Sequence, residues 1–117
     1  MTEARILERT YRDRLTAVRN ITSQDENGET VWNPETLYEN VPCALSKSSS
    51  NTPEKTDVRR TVENEMMIFA SPDVMLQDMD RVTVVNEAGQ TFSGIAGRTV
   101  VYAGSHGETP VKIEGIA

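Results

Sequence analysis

The residue best suited to chemistry in this 117-residue chain is its single histidine, His106. Ser105 and Glu108 stand close beside it, in a segment rich in glycine. A serine–histidine–acid site needs side chains that converge in space, usually from distant positions of the chain. Since these three residues are near neighbours in sequence, we interpret His106 as a turn residue. We predict that the protein has no catalytic site and is not an enzyme.

Metal and cofactor chemistry is limited by composition. One histidine and one cysteine, Cys43, cannot form the clusters that hold zinc, haem or iron–sulfur centres. Asp73, Asp78 and Asp80 lack the spacing and the central glycine of a calcium loop. We interpret these aspartates as a solvated acidic turn and predict neither a metal nor a cofactor.

The single cysteine also bears on packing and compartment. Cys43 lies in an apolar, strand-like segment without a cationic neighbour, which predicts a buried structural thiol rather than a reactive one. One cysteine excludes an internal disulfide, and this favours a reducing compartment. No apolar run approaches the roughly 18 residues of a membrane span, and the N-terminus lacks a signal-like apolar middle. We therefore expect no membrane association.

Charge is distributed unevenly along the chain. The 12 Lys and Arg residues against 18 Asp and Glu residues give a formal net charge of −6. Residues 1–19 hold five arginines and three acids, which leaves an acidic remainder. An acidic body argues against a protein that grips the phosphate backbone of nucleic acid. Arg5, Arg9 and Arg12 share one face of a predicted helix, which is either an ordinary solvated face or a contact surface for an acidic partner.

The elements that position these residues are mostly strands. Thr2 is a suitable N-cap for a short helix over 2–12, and Asn27-Gly28 is a strong hairpin signal. Residues 103–109 read as a loop, and Asn33-Pro34 should end or bulge a strand. Strands are predicted over 14–22, 30–32, 38–45, 60–69, 82–85, 91–95, 98–102 and 111–113.

This pattern predicts an all-β fold. We expect a small β-barrel of about six or seven short antiparallel strands, with a short N-terminal α-helix and one long polar loop. The length fits a single domain over 1–117, with a helical arm at 1–12 and a mobile loop at 46–60. The apolar content of 37% indicates a thin core, so partners or loops should cover part of the surface.

The order of these pieces is similar to that of a known class of phage proteins. The segments that carry the likeness are Leu37–Ser46, Met67–Asp73, Asp80–Val82 and Tyr102–Lys112, within a span of about 11–112. Val41-Pro42-Cys43 and Gly104-Ser105-His106 are the most specific of them. The chain resembles the small head–tail connector proteins of tailed bacteriophages and of Bacillus phage-like elements. These form the head-closure or stopper class, also called minor capsid proteins.

The resemblance implies a structural virion protein. It would form a homo-oligomeric ring below the portal or adaptor protein, close the DNA-filled capsid, and offer a docking surface to a tail terminator or tail completion protein. The packaged double-stranded DNA would pass through the ring without sequence-specific binding. The protein would be made in the cytoplasm of the bacterial host and end at the head–tail interface of the virion.

The interaction residues expected from charge and loop position form one set. They are Arg5, Arg9, Arg12, Lys47, Ser48, Ser49, Ser50, Asn51, Thr52, Lys55, Arg59 and Arg60. An acidic ring lumen would repel DNA phosphates, so that the DNA would not adhere to the ring as it passes through. The alternative interpretation is an autonomous small β-barrel that binds protein or nucleic acid as a monomer.

Overall fold

A computed structural model describes residues 2–47 and 65–117. One helix and seven strands lie in these ranges. In chain order they are α1 (Glu3–Glu8), β1 (Asp13–Gln24), β2 (Thr30–Lys47), β3 (Glu65–Ala70), β4 (Arg81–Val85), β5 (Thr91–Ala96), β6 (Val100–Tyr102) and β7 (His106–Ile116). The strand expected over 60–69 is therefore present from Glu65, and its first residues fall outside the described part.

Six of the strands close an antiparallel barrel, which confirms the predicted fold class. The sheet order is β3-β2-β1-β4-β5-β7-β6, and the additional pairing of β3 with β7 closes it. Ile68 of β3 faces Thr109 of β7 in that closing ladder. The barrel interior is filled by small and medium aliphatic side chains, with Leu15, Ile68 and Leu76 among the largest that are fully buried.

The hairpin formed by β6 and β7 is longer than the sequence predicted. Ala96 of β5 pairs with Val111 of β7, and Val100 of β6 pairs with Glu108 of the same strand. β6 therefore continues β5 along β7, with a one-residue shift in register between the two. The prediction of a loop over 103–109 is wrong, because β7 already begins at His106. Gly107 and Thr109 are buried in the barrel wall there, and closure against β3 extends the strand beyond what local polarity indicated.

The second strand also differs from the prediction. β2 is one strand of 18 residues that runs through both Pro34 and Pro42, so the expected break at Asn33-Pro34 is wrong. Strand β3 pairs with β2 only from Cys43 onward, and both prolines therefore lie where β2 has a partner on one side. Proline is tolerated at such edge positions because no ladder hydrogen bond is lost. Lys47 still belongs to β2, so the polar loop does not start at 46.

The helix is shorter than expected and lies on the barrel surface. It ends at Glu8 with Arg9 as its C-cap, so Arg12 is outside the helix and the predicted range of 2–12 is wrong. Thr2 is the N-cap as predicted, and its hydroxyl oxygen accepts from the backbone N–H of Arg5 at 3.2 Å. The helix buries no residue, and a backbone bond of 3.1 Å from Ala4 to the carbonyl of Gly104 attaches it to the barrel.

The β1–β2 hairpin projects beyond the barrel. Strand β4 pairs with β1 only as far as Val18, whereas β1 and β2 continue to pair up to Gln24 and Thr30. We call residues 20–35 the arm. Every residue of the arm except Val31 is exposed. Gly28 supplies the positive φ of 79° in the turn predicted at Asn27-Gly28, and the Asp25 carboxylate accepts from two backbone N–H groups across it.

Substitution of Gly94 tests how closely the strands of the barrel wall are packed. A Cβ there would overlap the carbonyl oxygen of Lys112 on β7, whereas a Cβ at Gly115 would meet nothing. We expect Gly94→Ala to lower the free energy of unfolding by about 2 kcal/mol or more, because the β5–β7 ladder must shift. Gly115→Ala is the matched control and should change it by less than about 0.5 kcal/mol. Urea denaturation measures both, and equal small effects would contradict this account of the wall.

Candidate functional site

The arm is fixed to the barrel by a partly buried ion pair at its root. Arg19 is the first β1 residue beyond the pairing with β4, and its guanidinium donates to both carboxylate oxygens of Asp80 at 2.9 and 2.8 Å. The backbone N–H of Gln77 donates to the same carboxylate at 2.8 Å. Asp80 is 2% exposed. Such a bidentate contact fixes the direction of the arm as well as its position.

The sequence prediction for this aspartate is wrong. Asp80 was expected in a solvated acidic turn, but it is buried beside Arg19. Burial by itself would raise the pKa of Asp80, yet the hydrogen bonds from Arg19 and from the Gln77 backbone outweigh it and hold the pKa below the ordinary value. The two residues are 61 positions apart, so sequence spacing carried no signal of their contact.

The arm presents a mixed apolar and acidic surface. Trp32, the only tryptophan of the chain, is 65% exposed, and Ile21 is 39% exposed. Trp32 pairs with Thr22 and Ile21 pairs with Asn33, which places the two apolar side chains on opposite faces of the ribbon. The arm carries four acidic residues and no basic ones, namely Asp25, Glu26, Glu29 and Glu35. Both faces thus offer contact area to a partner.

The predicted arginine surface is only partly assembled. Arg5 and Arg9 lie one helical turn apart and are exposed. Arg12 lies beyond the helix and forms an exposed ion pair with Glu87 at 3.7 Å, so the expectation of three arginines on one helix face is wrong. An open cleft of about 500 Å³ borders Arg5. It is lined by Thr2, Ala4, Arg5, Glu8, Ser71, Pro72, Asp73 and Gly104.

The remaining predicted interaction residues stay largely untested. Lys47 is exposed at the end of β2 opposite Met66. The others lie outside the described residues, and they are Ser48, Ser49, Ser50, Asn51, Thr52, Lys55, Arg59 and Arg60.

The residues around His106 converge more closely than their sequence spacing indicated. Its Nδ1 lies 2.8 Å from the hydroxyl of Ser105, and its Nε2 lies 2.9 Å from Glu108. The Ser105 hydroxyl also donates to Glu3 of α1 at 2.9 Å. This chain of contacts attaches α1 to β7.

Cys43 is the buried thiol that the sequence predicted. Its side chain is fully enclosed in the barrel core. Burial is the main cause that raises its pKa to about 12, with the nearby Asp13 carboxylate adding to the effect. A thiol with so high a pKa is almost wholly protonated at neutral pH and is a poor nucleophile.

Among residues 2–47 and 65–117, no group of three or more histidine, cysteine, aspartate or glutamate side chains could hold a metal ion. Within the same ranges no helix has the length and apolarity to cross a membrane.

Comparison of the chain with protein-family models, with curated proteins and with solved structures gives no match.

The root pair predicts a pH-dependent stability. In Arg19→Met, Asp80 would stay buried without its partner, and we expect a loss of about 2–4 kcal/mol near neutral pH. Because pairing lowers the pKa of Asp80 in the folded state, its contribution is present above about pH 4 and is lost as the pH falls through the lowered value. The difference between Arg19→Met and the native chain should therefore shrink in acid, as measured by urea denaturation.

The matched control for this pair is Arg81→Met. Arg81 contacts Glu114 at 3.3 Å, but both side chains are about half exposed. Removal of this exposed pair should cost less than about 1 kcal/mol and show little pH dependence. Equal losses in the two variants would contradict the special role of the buried root.

Burial of Cys43 predicts a silent thiol in the native protein. Ellman's reagent should not react at neutral pH until denaturant is added, when one thiol per chain should appear. Because neither the enclosed sulfur nor its raised pKa favours attack, native labelling should be slower than that of the denatured chain by at least about two orders of magnitude. Rapid native labelling would show that the core opens readily at β2.

Proposed function

We propose that this protein is a non-enzymatic, structural protomer of a head–tail connector ring in a tailed phage or phage-like element. In that role it closes the DNA-filled head and gives the tail its docking surface. The observation that carries the proposal is the arm, a two-stranded ribbon that leaves a closed barrel with nearly all of its residues exposed. The likeness to connector proteins noted in the sequence supports the same function.

The energetics of the arm favour a role in assembly. A two-stranded ribbon without a packed face is at best marginally stable in water. This arm exposes an apolar side chain on each face, Trp32 and Ile21, and is held at its root by the partly buried Arg19–Asp80 pair. A rigid root with an uncovered ribbon suits an element that gains its burial from a neighbouring molecule.

The charge of the described surface suits a passage for DNA. The arm carries four acidic residues and no basic ones, and the chain carries −6 overall. In a ring these charges add up with every protomer, and phosphates near such a surface are repelled. The same charge speaks against the alternative of a nucleic-acid-binding module, whereas a monomeric protein-binding module stays as the competing proposal.

Imaging of particles provides the direct test. In the phage or prophage that encodes it, deletion of this chain should leave heads that lose their DNA or fail to join tails, and plasmid-borne native chain should restore tailed virions. Mass spectrometry of purified virions should detect the chain. Normal tailed particles without it would overturn the proposal, and a chain absent from virions but bound to a host protein would favour the binding module.

A further inference from the structure

Three short polar contacts connect the helix α1 to strand β7 through His106. The Ser105 hydroxyl lies 2.9 Å from a carboxylate oxygen of Glu3 and 2.8 Å from Nδ1 of His106. The other ring nitrogen, Nε2, lies 2.9 Å from a carboxylate oxygen of Glu108. All three distances are those of hydrogen bonds. We call these four residues the clasp.

A count of hydrogens relates the clasp to the protonation of His106. Each of its three contacts needs one hydrogen, and an ionised carboxylate brings none. The serine hydroxyl brings one hydrogen, and a neutral imidazole brings one more, on one of its two nitrogens. In that state one of the three contacts sets two acceptor atoms against each other. An imidazolium carries a hydrogen on both nitrogens and therefore completes all three bonds.

The groups around the imidazole of His106 are mostly ones that attract a cation. Glu108 of β7 is in direct contact with the ring, and Glu3 of α1 is one hydroxyl away. The ring of Tyr102 on β6 stacks on it with the centroids 5.0 Å apart, and that of Phe69 on β3 lies 5.9 Å away. Further charged side chains line the cleft beside α1, and they are Arg5, Glu8 and Asp73. Carboxylates and aromatic faces both interact favourably with an imidazolium.

The clasp is a large part of what holds α1 in place. The helix buries none of its residues. Within residues 2–47 and 65–117, a single backbone hydrogen bond joins it to the barrel, from the N–H of Ala4 to the carbonyl of Gly104 at 3.1 Å. Loss of one bond of the clasp therefore removes a substantial share of the attachment.

We propose that the clasp is a proton-dependent attachment of α1, complete when His106 is protonated and loosened when the ring loses that proton. The device needs no second molecule and is independent of the connector function. Histidine ordinarily exchanges its proton between about pH 5 and pH 8, where carboxylates stay largely ionised. Because the docked helix holds the proton, docking is favoured as the pH falls and weakens as the pH rises through this range.

NMR measurement of hydrogen exchange at the Ala4 amide tests the attachment, since this N–H is bonded to the barrel. After correction for the intrinsic effect of pH, its protection in the native chain should fall about fivefold between about pH 5.5 and about pH 8. His106 is the only histidine, so its ring nitrogens give unambiguous signals. At about pH 5.5 both nitrogens should carry a hydrogen.

Carboxylate-to-amide variants test the hydrogen count itself. An amide brings hydrogens of its own, so Glu3→Gln and Glu108→Gln should each complete the clasp with a neutral imidazole. In both variants the protection of Ala4 should remain at about pH 8 what it is at about pH 5.5. Glu8→Gln is the matched control, because it changes a carboxylate of the same helix that is not part of the clasp. It should keep the full pH dependence of the native chain.

The contrary outcomes locate the proton elsewhere or remove it. In His106→Gln the side chain cannot gain a proton, so native pH dependence in that variant would place the proton on a carboxylate and overturn the proposal. A native ring with a hydrogen on only one nitrogen at about pH 5.5 would overturn it as well. Native Ala4 protection that does not vary with pH would do the same. Amide spectra of the barrel check that each variant folds, and Glu3→Gln lies outside the barrel, so its result stands even if the β7 variants unfold.

Discussion

The direction of the arm depends on one buried carboxylate. Asp80 accepts from Arg19, where β1 leaves the barrel, and from the backbone of Gln77. Its own backbone carbonyl accepts from the N–H of Ala96 of β5, so the same residue links the arm root to the β4–β5 part of the barrel wall. A charge at 2% exposure is tolerated only with such partners, since an unpaired buried carboxylate is strongly destabilising. These contacts fix the orientation of the exposed arm relative to the barrel and its thin core.

The rest of the architecture divides stability and interaction between two regions. The closed barrel provides stability, because the β3–β7 ladder closes the sheet around the buried aliphatic residues. The arm provides surface, with an apolar side chain on each face and acids around its tip. A protomer with this division can complete its burial on neighbours without depending on them for folding. The proposed ring uses that property.

Several features of the fold could be predicted from local signals. Alternating β-branched residues and the Asn27-Gly28 turn predicted the strands and the arm turn, and the apolar context of Cys43 predicted its burial. Ends and interruptions were less predictable. β2 passes through Pro34 because only one of its sides is paired there, and β7 starts at His106 because closure against β3 continues the ladder. Both facts depend on neighbours that are distant in sequence.

The sequence by itself determined the fold class and the charge asymmetry, since these follow from periodicity and residue counts. Only the tertiary structure decided which charges are structural and which are free to interact. Arg19 pairs with the buried Asp80, whereas Arg5 and Arg9 lie on the surface. It also placed the acidic tip of the arm and the helix at opposite ends of β1. Burial and distance depend on how strands far apart in sequence pair, and no local pattern contains that information.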